Sequence, residues 1–301
     1  MRKFWIIPNH TKDKAYHTAK RITQWLECHD KEVIFQDTDK NGQGDWIDRH
    51  LRTKREAMEQ ADCVISLGGD GTIIQAARRL ANVHVPILGV NLGNLGFLAE
   101  VEMKELESAL EKIVRGEYTL ENRMMVKADI LREKESCCFG LALNDVVISR
   151  GAISRMIGFN VYVNNVFVNH YYADGIIIST PTGSTAYNLS AGGPILAPQS
   201  DVVAITPICP HSLTARSIVL PGSDVIRITF KSRRDQGELP PEWKQKESMI
   251  ITIDGQMVQD LYGGDEIIIS QAPQKTSLVK FSNKDFYTIL RKKLENAYEK
   301  I

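Results

Sequence analysis

The stretch Cys63-Val64-Ile65-Ser66-Leu67-Gly68-Gly69-Asp70-Gly71-Thr72 decides the fold class of this 301-residue chain. Its first five residues form a mostly apolar run that is typical of a buried β-strand, and residues 72–80 have the spacing of an amphipathic helix. Three glycines lie around Asp70, and they predict a tight turn from strand to helix. Such a turn is typical of an open α/β sheet, whose ligands bind beyond the carboxyl ends of the strands.

The same alternation of strand and helix continues on both sides of this turn. The sequence predicts strands at 4–7, 33–35 and 86–90, and helices at 13–27 and 46–60 and over the segment that contains Leu106, Leu110, Ile113 and Val114. Strands that alternate with helices indicate a parallel, doubly wound sheet. We therefore expect a Rossmann-like α/β domain in the N-terminal part of the chain.

After about residue 121 the pattern changes to the alternation of apolar and polar residues that is typical of strands. Asn164-Asn165 separates two such runs, and asparagine tolerates the positive φ of a hairpin turn. Further strands are predicted at 175–179, 224–230, 249–253 and 266–270, which indicates an all-β C-terminal domain. Residues 231–247 are interpreted as an exposed loop. The tail from 283 to 301 returns to helical spacing, with Phe286, Leu290 and Leu294 on one face.

The composition excludes several functional classes. Hydrophobic residues make up 43% and charged residues 25% of the chain, as in ordinary globular proteins. The 37 basic residues balance 37 acidic ones, so net charge attracts neither nucleic acid nor an anionic membrane. No apolar run approaches the roughly 20 residues of a membrane helix, the N-terminal apolar run is too short for a signal peptide, and five scattered cysteines form no CxxC pair. We expect a cytoplasmic protein. An anionic ligand would have to be bound by a local group of residues, because the net charge does not attract it.

The glycine turn is the first candidate site. Gly68, Gly69, Gly71 and Thr72 would form a phosphate cradle, because glycine lets backbone N–H groups approach a ligand and the helix N-terminus is partially positive. Asp70 is anomalous there, since a carboxylate repels phosphate. It would either accept a proton from an attacking hydroxyl or bind the metal that accompanies ATP. The alternative is a simple turn in which Asp70 caps the helix.

The second candidate site runs from Asp174 to Ser190. An acid precedes the apolar strand 175–179, and six serine and threonine hydroxyls and Tyr187 lie within residues 179–190. Hydroxyls can bind sugar or phosphate oxygens, and a tyrosine ring offers a face to a base. We interpret the segment as a ligand loop, the alternative being a helix cap rich in serine and threonine.

Two weaker signals accompany these sites. Asn144-Asp145 precedes a predicted strand, where such pairs are most often turn residues. Residues 91–98 follow another parallel strand, and Phe97 would wall a pocket there. The chain contains neither GxGxxG after a strand nor GxxxxGK[ST], so it has no standard dinucleotide fingerprint and no P-loop.

Taken together, these segments resemble the NAD kinases. The resemblance rests on four ordered motifs, which are 68–72, Leu95-Gly96-Phe97-Leu98, Asn144-Asp145 and 174–190. It implies an α/β domain over 1–122, a β-rich NAD-binding domain over 123–271, and a segment over 272–301 whose helix packs back on the first domain. It also implies phosphorylation of the 2′-hydroxyl of the adenosine ribose of NAD, with ATP and Mg²⁺ or another divalent cation, in a homodimer or homotetramer.

The resemblance also assigns roles to single residues. It makes Asp70 the general base and assigns no protein side chain as a fixed metal ligand. The residues that it places at NAD are Asp70, Gly71, Phe97, Asn144, Asp145, Arg155, Asp174, Thr185, Ala186, Tyr187, Ser190 and Gln256. Two positions depart from the family pattern: Asp145 replaces the usual glutamate, and Tyr172 stands where many members have arginine.

Two alternatives share part of this pattern. A lipid or sugar kinase could also use a GGDGT turn, but it would not explain the 185–190 loop together with Asn144-Asp145. A non-catalytic dinucleotide sensor would need neither a base nor a metal, and the presence of Asp70 argues against it.

Overall fold

The computed structural model describes residues 1–9, 13–34, 60–93, 96–133, 135–151, 156–231, 249–281 and 285–298. The chain divides into two compact units. Residues 1–122 and 276–301 form the first unit, and residues 123–275 form the second. The predicted helix at 46–60 lies outside the described residues, as does almost all of the 231–247 loop.

The first unit is built on a parallel sheet with helices between its strands. Its elements in chain order are β1 (Lys3–Pro8), α1 (Asp13–Glu27), β2 (Glu32–Ile34), β3 (Cys63–Gly68), α2 (Asp70–Arg79), β4 (Ile87–Asn91), β5 (Val101–Glu102) and α3 (Leu106–Arg115). The strands follow the order β2-β1-β3-β4-β5, and each neighbouring pair is parallel. The predicted α/β class is therefore confirmed, and the predicted bounds of α1 agree with the structure.

Apolar residues of the strands and helices bury each other in this unit. β3 is buried along its whole length because it is a central strand covered on both faces. The core also includes the apolar face of α1, whose members are Ala15, Ala19, Ile22 and Leu26. α2 therefore begins directly after a fully buried strand, and this strand fixes the position of the glycine turn.

The second unit consists almost entirely of antiparallel strands. They are β6 (Thr119–Arg132), β7 (Glu135–Ala142), β8 (Asp145–Arg150), β9 (Ile157–Val163), β10 (Val166–Ala173), β11 (Gly175–Ser179), β12 (Val202–Ile208), β13 (Ile218–Pro221), β14 (Ile226–Lys231), β15 (Met249–Ile253) and β16 (Met257–Leu261), with a one-turn helix α4 (Tyr187–Ser190). One sheet has the order β13-β12-β11-β8-β15-β16. Asn164 and Asn165 have φ of 50° and 67°, which confirms the predicted hairpin turn.

The C-terminal part of the chain contains β17 (Glu266–Lys280) and α5 (Phe286–Tyr298). β17 begins in an antiparallel pair with β14 and ends beside β4, where Leu278 pairs with Ile87 in parallel. The expectation that this strand ends at residue 270 was wrong. The predicted helix is present, and within it Ile289 is 4% exposed whereas Leu294 of the predicted face is 45% exposed.

Candidate active site

The glycine turn between β3 and α2 has a buried side and an open side. A Cβ at Gly68 would overlap the hydroxyl of Thr72, which is buried and accepts a 3.3 Å hydrogen bond from Asn9 Nδ2. Gly68 and Thr72 therefore lie beneath the turn. A Cβ at Gly69 or Gly71 would have no described atom within 4 Å. Among the described residues, these two glycines leave room for a ligand at a helix N-terminus, where an anion is favoured.

The Asp70 carboxylate binds the backbone of a neighbouring loop. Its two oxygens accept hydrogen bonds from Phe97 N at 2.8 Å and Leu98 N at 3.1 Å. A Cβ at Gly96 would overlap this carboxylate, so the loop needs glycine at that position. The Asp70 carboxylate therefore anchors the 96–98 loop and does not cap its own helix.

Asp70 keeps acceptor capacity for a ligand while it anchors the loop. An ionised carboxylate has about four acceptor positions, and two N–H donors use only part of that capacity. The same two bonds hold the side chain in one orientation. A fixed acceptor beside an open turn is the geometry that proton removal from a bound hydroxyl requires.

A polar corner in the second unit is organised by Asp254. Its carboxylate accepts hydrogen bonds from Leu143 N at 3.0 Å, Asn144 N at 2.7 Å and Asp145 N at 3.1 Å. Asp254 has a φ of 52° and Gly255 one of 62°, which is the conformation of a tight hairpin turn. Three N–H groups thus fix the segment that carries Asn144 and Asp145.

The side chains of Asn144 and Asp145 are unusual for turn residues. Asn144 Oδ1 is buried and has no hydrogen-bond partner among the described residues. Asp145 is 4% exposed. Burial raises the pKa of Asp145 to about 7, and the nearby charge of Asp254 adds to the effect. A buried acceptor without a described partner, next to a carboxyl whose pKa is raised by burial, indicates a binding site.

The hydroxyls of residues 179–190 fall into two groups. Those of Thr180 and Ser184 are buried and donate to the carbonyl oxygens of Leu143 at 2.5 Å and Pro181 at 2.7 Å. Ser179 and Thr182 are buried too. Four of the six hydroxyls in this segment are therefore buried, and those of Thr185 and Ser190 are the more exposed two.

The remaining members of that segment lie at the surface of the second unit. Thr185 and Ala186 are half-buried, and Tyr187 and Ser190 are exposed. A Cβ at Gly183 would overlap Asn144 O. The segment therefore packs directly on the polar corner, and the surface residues follow at once in α4.

Two family models match the chain. The ATP-NAD kinase N-terminal domain matches residues 4–118, and the ATP-NAD kinase C-terminal domain matches residues 143–281. The chain belongs to the NAD kinase family. The predicted enzyme class, a phosphotransferase, is thereby confirmed, and the lipid or sugar kinase alternative loses its support.

Individual NAD kinases match most or nearly all of the chain. The chain is 43% identical over 294 residues to the NAD kinase of Thermoanaerobacter sp. (strain X514), covering 98% of this chain and 99% of the relative. The NAD kinase of Carboxydothermus hydrogenoformans is 44% identical over 242 residues, or 80% of this chain and 82% of its own.

Solved structures show the same fold. An NAD kinase from Archaeoglobus fulgidus in complex with ATP superposes with a TM-score of 0.73 at 25% identity, covering 98% of this chain and 99% of its own. Yeast NADH kinase complexed with NADH gives a TM-score of 0.82 at 24% identity, covering 98% and 88%. The yeast enzyme supports the fold alone.

The other residues predicted to contact NAD lie in different parts of the chain. Gln256 is exposed, two residues after Asp254, and so lies at the polar corner. Asp174 lies at the opposite end of the β8–β11 pair from Asp145, because Asp145 pairs with Ser179 and Arg150 N bonds to Asp174 O. Five residues of strand separate the two ends by roughly 17 Å. Arg155 lies outside the described residues.

Asp174 has a partner of its own. Its carboxylate forms a 3.2 Å ion pair with Arg150, and both side chains are partly exposed. No single cluster in the described part of the second unit therefore contains both Asp174 and the Asn144-Asp145 pair.

Sequence reasoning missed Asp254 as an organising residue, although Asp-Gly is a strong hairpin signal that the sequence displays. It also missed Glu100, which is buried and binds Lys280 and Phe281 N at 2.8 Å each. Within the described residues no three His, Cys, Asp or Glu side chains form a group that could hold a metal ion. No described helix has the length and apolar character needed to cross a membrane.

Proposed function

We propose that this protein transfers the terminal phosphoryl group of ATP to the 2′-hydroxyl of the adenosine ribose of NAD, which gives NADP. The observation that supports this reaction best is the Asp70 carboxylate, held by two N–H donors beside the open glycines Gly69 and Gly71. The resemblance to ATP-NAD kinases supports the choice of donor and acceptor.

In the proposed reaction, Asp70 accepts the proton of the 2′-hydroxyl as its oxygen attacks the terminal phosphorus. The bond from phosphorus to the bridging oxygen of ATP breaks, and ADP leaves. Gly69, Gly71 and the N-terminus of α2 form the cradle for phosphate oxygens. Gly68 and Thr72 support the cradle from below. Phosphoryl transfer depends mainly on such positioning and on charge neutralisation.

A divalent cation, Mg²⁺ in the simplest case, fits this arrangement as a partner of ATP. Mg²⁺ usually keeps several waters and binds through one or two carboxylates and substrate phosphates. The turn offers one carboxylate, Asp70, and no larger cluster is present in the described residues. When bound, the cation would neutralise charge on the phosphates.

We propose that the polar corner of the second unit binds NAD. Asn144 Oδ1, which has no hydrogen-bond partner among the described residues, suits an N–H or O–H donor of the adenosine, and the Asp145 carboxyl lies on the same turn. Surface residues of the adjoining segment would surround the base and ribose; they are Thr185, Ala186, Tyr187 and Ser190. The other NAD contacts carried over from the family are Gly71, Phe97, Arg155, Asp174 and Gln256.

The remaining parts of the proposal concern the protein in the cell. We propose a homodimer or homotetramer in the cytoplasm, with no nucleic-acid or membrane partner. The family resemblance supports the oligomer, and the balanced net charge agrees with the lack of anionic partners. Light scattering after size-exclusion chromatography measures the oligomer directly.

The first prediction tests the reaction and its base. We expect NADP to form from NAD and Mg-ATP, and the assay is repeated with polyphosphate in place of ATP. Asp70→Asn should lower kcat by roughly 10²–10⁴-fold. The KM for NAD should stay within a few-fold. Asp30→Asn is the matched control, because Asp30 is exposed and has a φ of 58° that asparagine tolerates.

An Asp70→Asn variant that keeps near wild-type kcat would show that Asp70 only anchors the 96–98 loop. The amide can accept only one of the two backbone N–H bonds. The exchange of amide hydrogens in residues 96–100 is therefore measured in the same sample, so that loop movement is separated from loss of the base.

A further inference from the structure

The loop that binds Asp70 is itself held by the C-terminal segment of the chain. Glu100, at the end of this loop, is buried, and its carboxylate forms an ion pair with Lys280 Nζ and accepts a hydrogen bond from Phe281 N, both at 2.8 Å. These residues all belong to the first unit. The end of β17 is therefore fixed to residues 96–100.

A second set of contacts holds the middle of the same loop. The ring of Phe97 lies 6.0 Å from the ring of Phe286, centroid to centroid, which is within the range of favourable aromatic pairs. Lys293 Nζ lies 5.6 Å from the centroid of the Phe97 ring, as in a cation–π contact. Both partners belong to α5.

Phe97 joins these contacts to Asp70. Its backbone N–H donates to Asp70 Oδ2 at 2.8 Å, and Leu98 N donates to Oδ1 at 3.1 Å. The ring of Phe97 is thus restrained by α5 while its amide restrains the carboxylate. A shift of the ring moves the amide, because both belong to one residue.

We infer that α5 positions Asp70 for proton transfer through Phe97, and that Phe286 and Lys293 are positioning residues of the reaction. This inference rests on the proposed role of Asp70 as the base. A misplacement of about 1 Å can cost as much as 10²-fold in rate. A partial loosening of this one loop should cost less.

The simpler explanation is that these contacts only attach the helix. Ile289 already anchors α5, since it is 4% exposed. Lys293 is exposed and adds little burial, whereas Phe286 is half-buried and contributes only part of the attachment. Variants of Ile289 and of Phe286 therefore separate attachment of the helix from control of the loop.

The test compares five variants of the full-length enzyme well below its unfolding temperature. Phe286→Ala should lower kcat by about tenfold, with a smaller change in the KM for NAD, which Phe97 is proposed to contact, and less than a twofold change in the KM for ATP. Phe286→Tyr, which keeps the ring, should restore kcat. Lys293→Ala should lower kcat by about threefold. Lys292→Ala removes the same charge from a neighbouring exposed site and should leave kcat unchanged.

Ile289→Val is the control for helix attachment. It should lower the unfolding temperature without lowering kcat. Hydrogen exchange of the peptide that covers residues 96–100 should become faster in Phe286→Ala and stay unchanged in Lys292→Ala and Ile289→Val.

Each outcome decides the inference. It is overturned if Phe286→Ala keeps wild-type kcat with a protected 96–100 peptide, or if kcat falls in Ile289→Val as much as in Phe286→Ala. If Asp70→Asn is inactive while Phe286→Ala is normal, only this inference fails. If Asp70→Asn is fully active, the proposed base fails and this inference fails with it.

Discussion

Asp145 illustrates how burial of one residue gives the protein a pH dependence. The carboxyl has an ordinary pKa of 3.8, and burial, with the charge of Asp254, raises it to about 7. Between these two values the folded protein binds more protons than the unfolded chain. Stability therefore falls as the pH rises from about 4 to 7, and it stays lower above that range.

The second prediction follows from this sign. Asp145→Asn removes the charge, so its free energy of unfolding should exceed that of the wild type at pH 8 by on the order of a few kcal/mol, since one pKa unit corresponds to about 1.4 kcal/mol. The excess should shrink toward zero near pH 4. Urea denaturation at pH 4.5, 6 and 8 measures it.

Asp260→Asn is the matched control for this prediction, because Asp260 is exposed on β16. It should show no pH-dependent difference from the wild type. A difference for Asp145→Asn that is the same at every pH would mean that the amide changes packing and that the charge has no such cost.

At the scale of single residues, the sequence pointed to candidate site residues but did not reveal which groups they contact. Asp70 and Asn144-Asp145 were identified from the motifs, but the partner of Asp70 lies 27 positions away and that of Asn144 lies 110 positions away. Local pattern carries no information on such distances. Gly96 shows the same limit, because its need for glycine follows only from the position of the Asp70 carboxylate.

At the scale of elements, two ion pairs of the first unit differ in burial. Glu100 and Lys280 have side chains that are 2% and 13% exposed. Glu107 of α3 pairs with Arg21 of α1, and their side chains are 62% and 57% exposed. Water screens the second pair but hardly reaches the first.

The third prediction compares these two glutamates. Glu100→Ala should lower the free energy of unfolding by about 3–5 kcal/mol, because it leaves Lys280 buried without its partner. Glu107→Ala should change it by less than about 1 kcal/mol. Chemical denaturation at pH 7 measures both values, and equal effects would show that the Glu100 site relaxes to admit water.

Elements with strong periodicity were predicted well, and interrupted ones were not. The helix at 13–27 has a regular apolar face, and its bounds were confirmed. β17 was cut short at residue 270 because Gln271 to Ser277 is mostly polar and contains Pro273, which usually ends a strand. In the structure Pro273 is exposed and the strand continues to Lys280. Its last residues pair with β4, and a tertiary partner of this kind is invisible to local pattern.

At the scale of the whole molecule, the chain crosses between its two units along single elements. β17 starts in the second unit and ends in the first, with the division near residue 275. Ile267 and Leu278 lie on this one strand and are 0% and 1% exposed. Ile267 belongs to the core that contains Phe159 and Ile228, whereas Leu278 pairs with Ile87.

The fourth prediction uses these two residues to test the domain division, which the sequence placed at 1–122, 123–271 and 272–301. Ile267→Ala and Leu278→Ala should each cost about 2–5 kcal/mol, but in different parts of the chain. Hydrogen exchange should rise in β9 and β14 for Ile267→Ala and in β3 and β4 for Leu278→Ala, because each cavity loosens the core around it. Val258→Ala, at an exposed site on β16, is the control and should change neither set. If both core variants raised exchange equally in both sets of strands, the chain would unfold as one cooperative body, and the C-terminal segment would have no preferential attachment to the α/β unit.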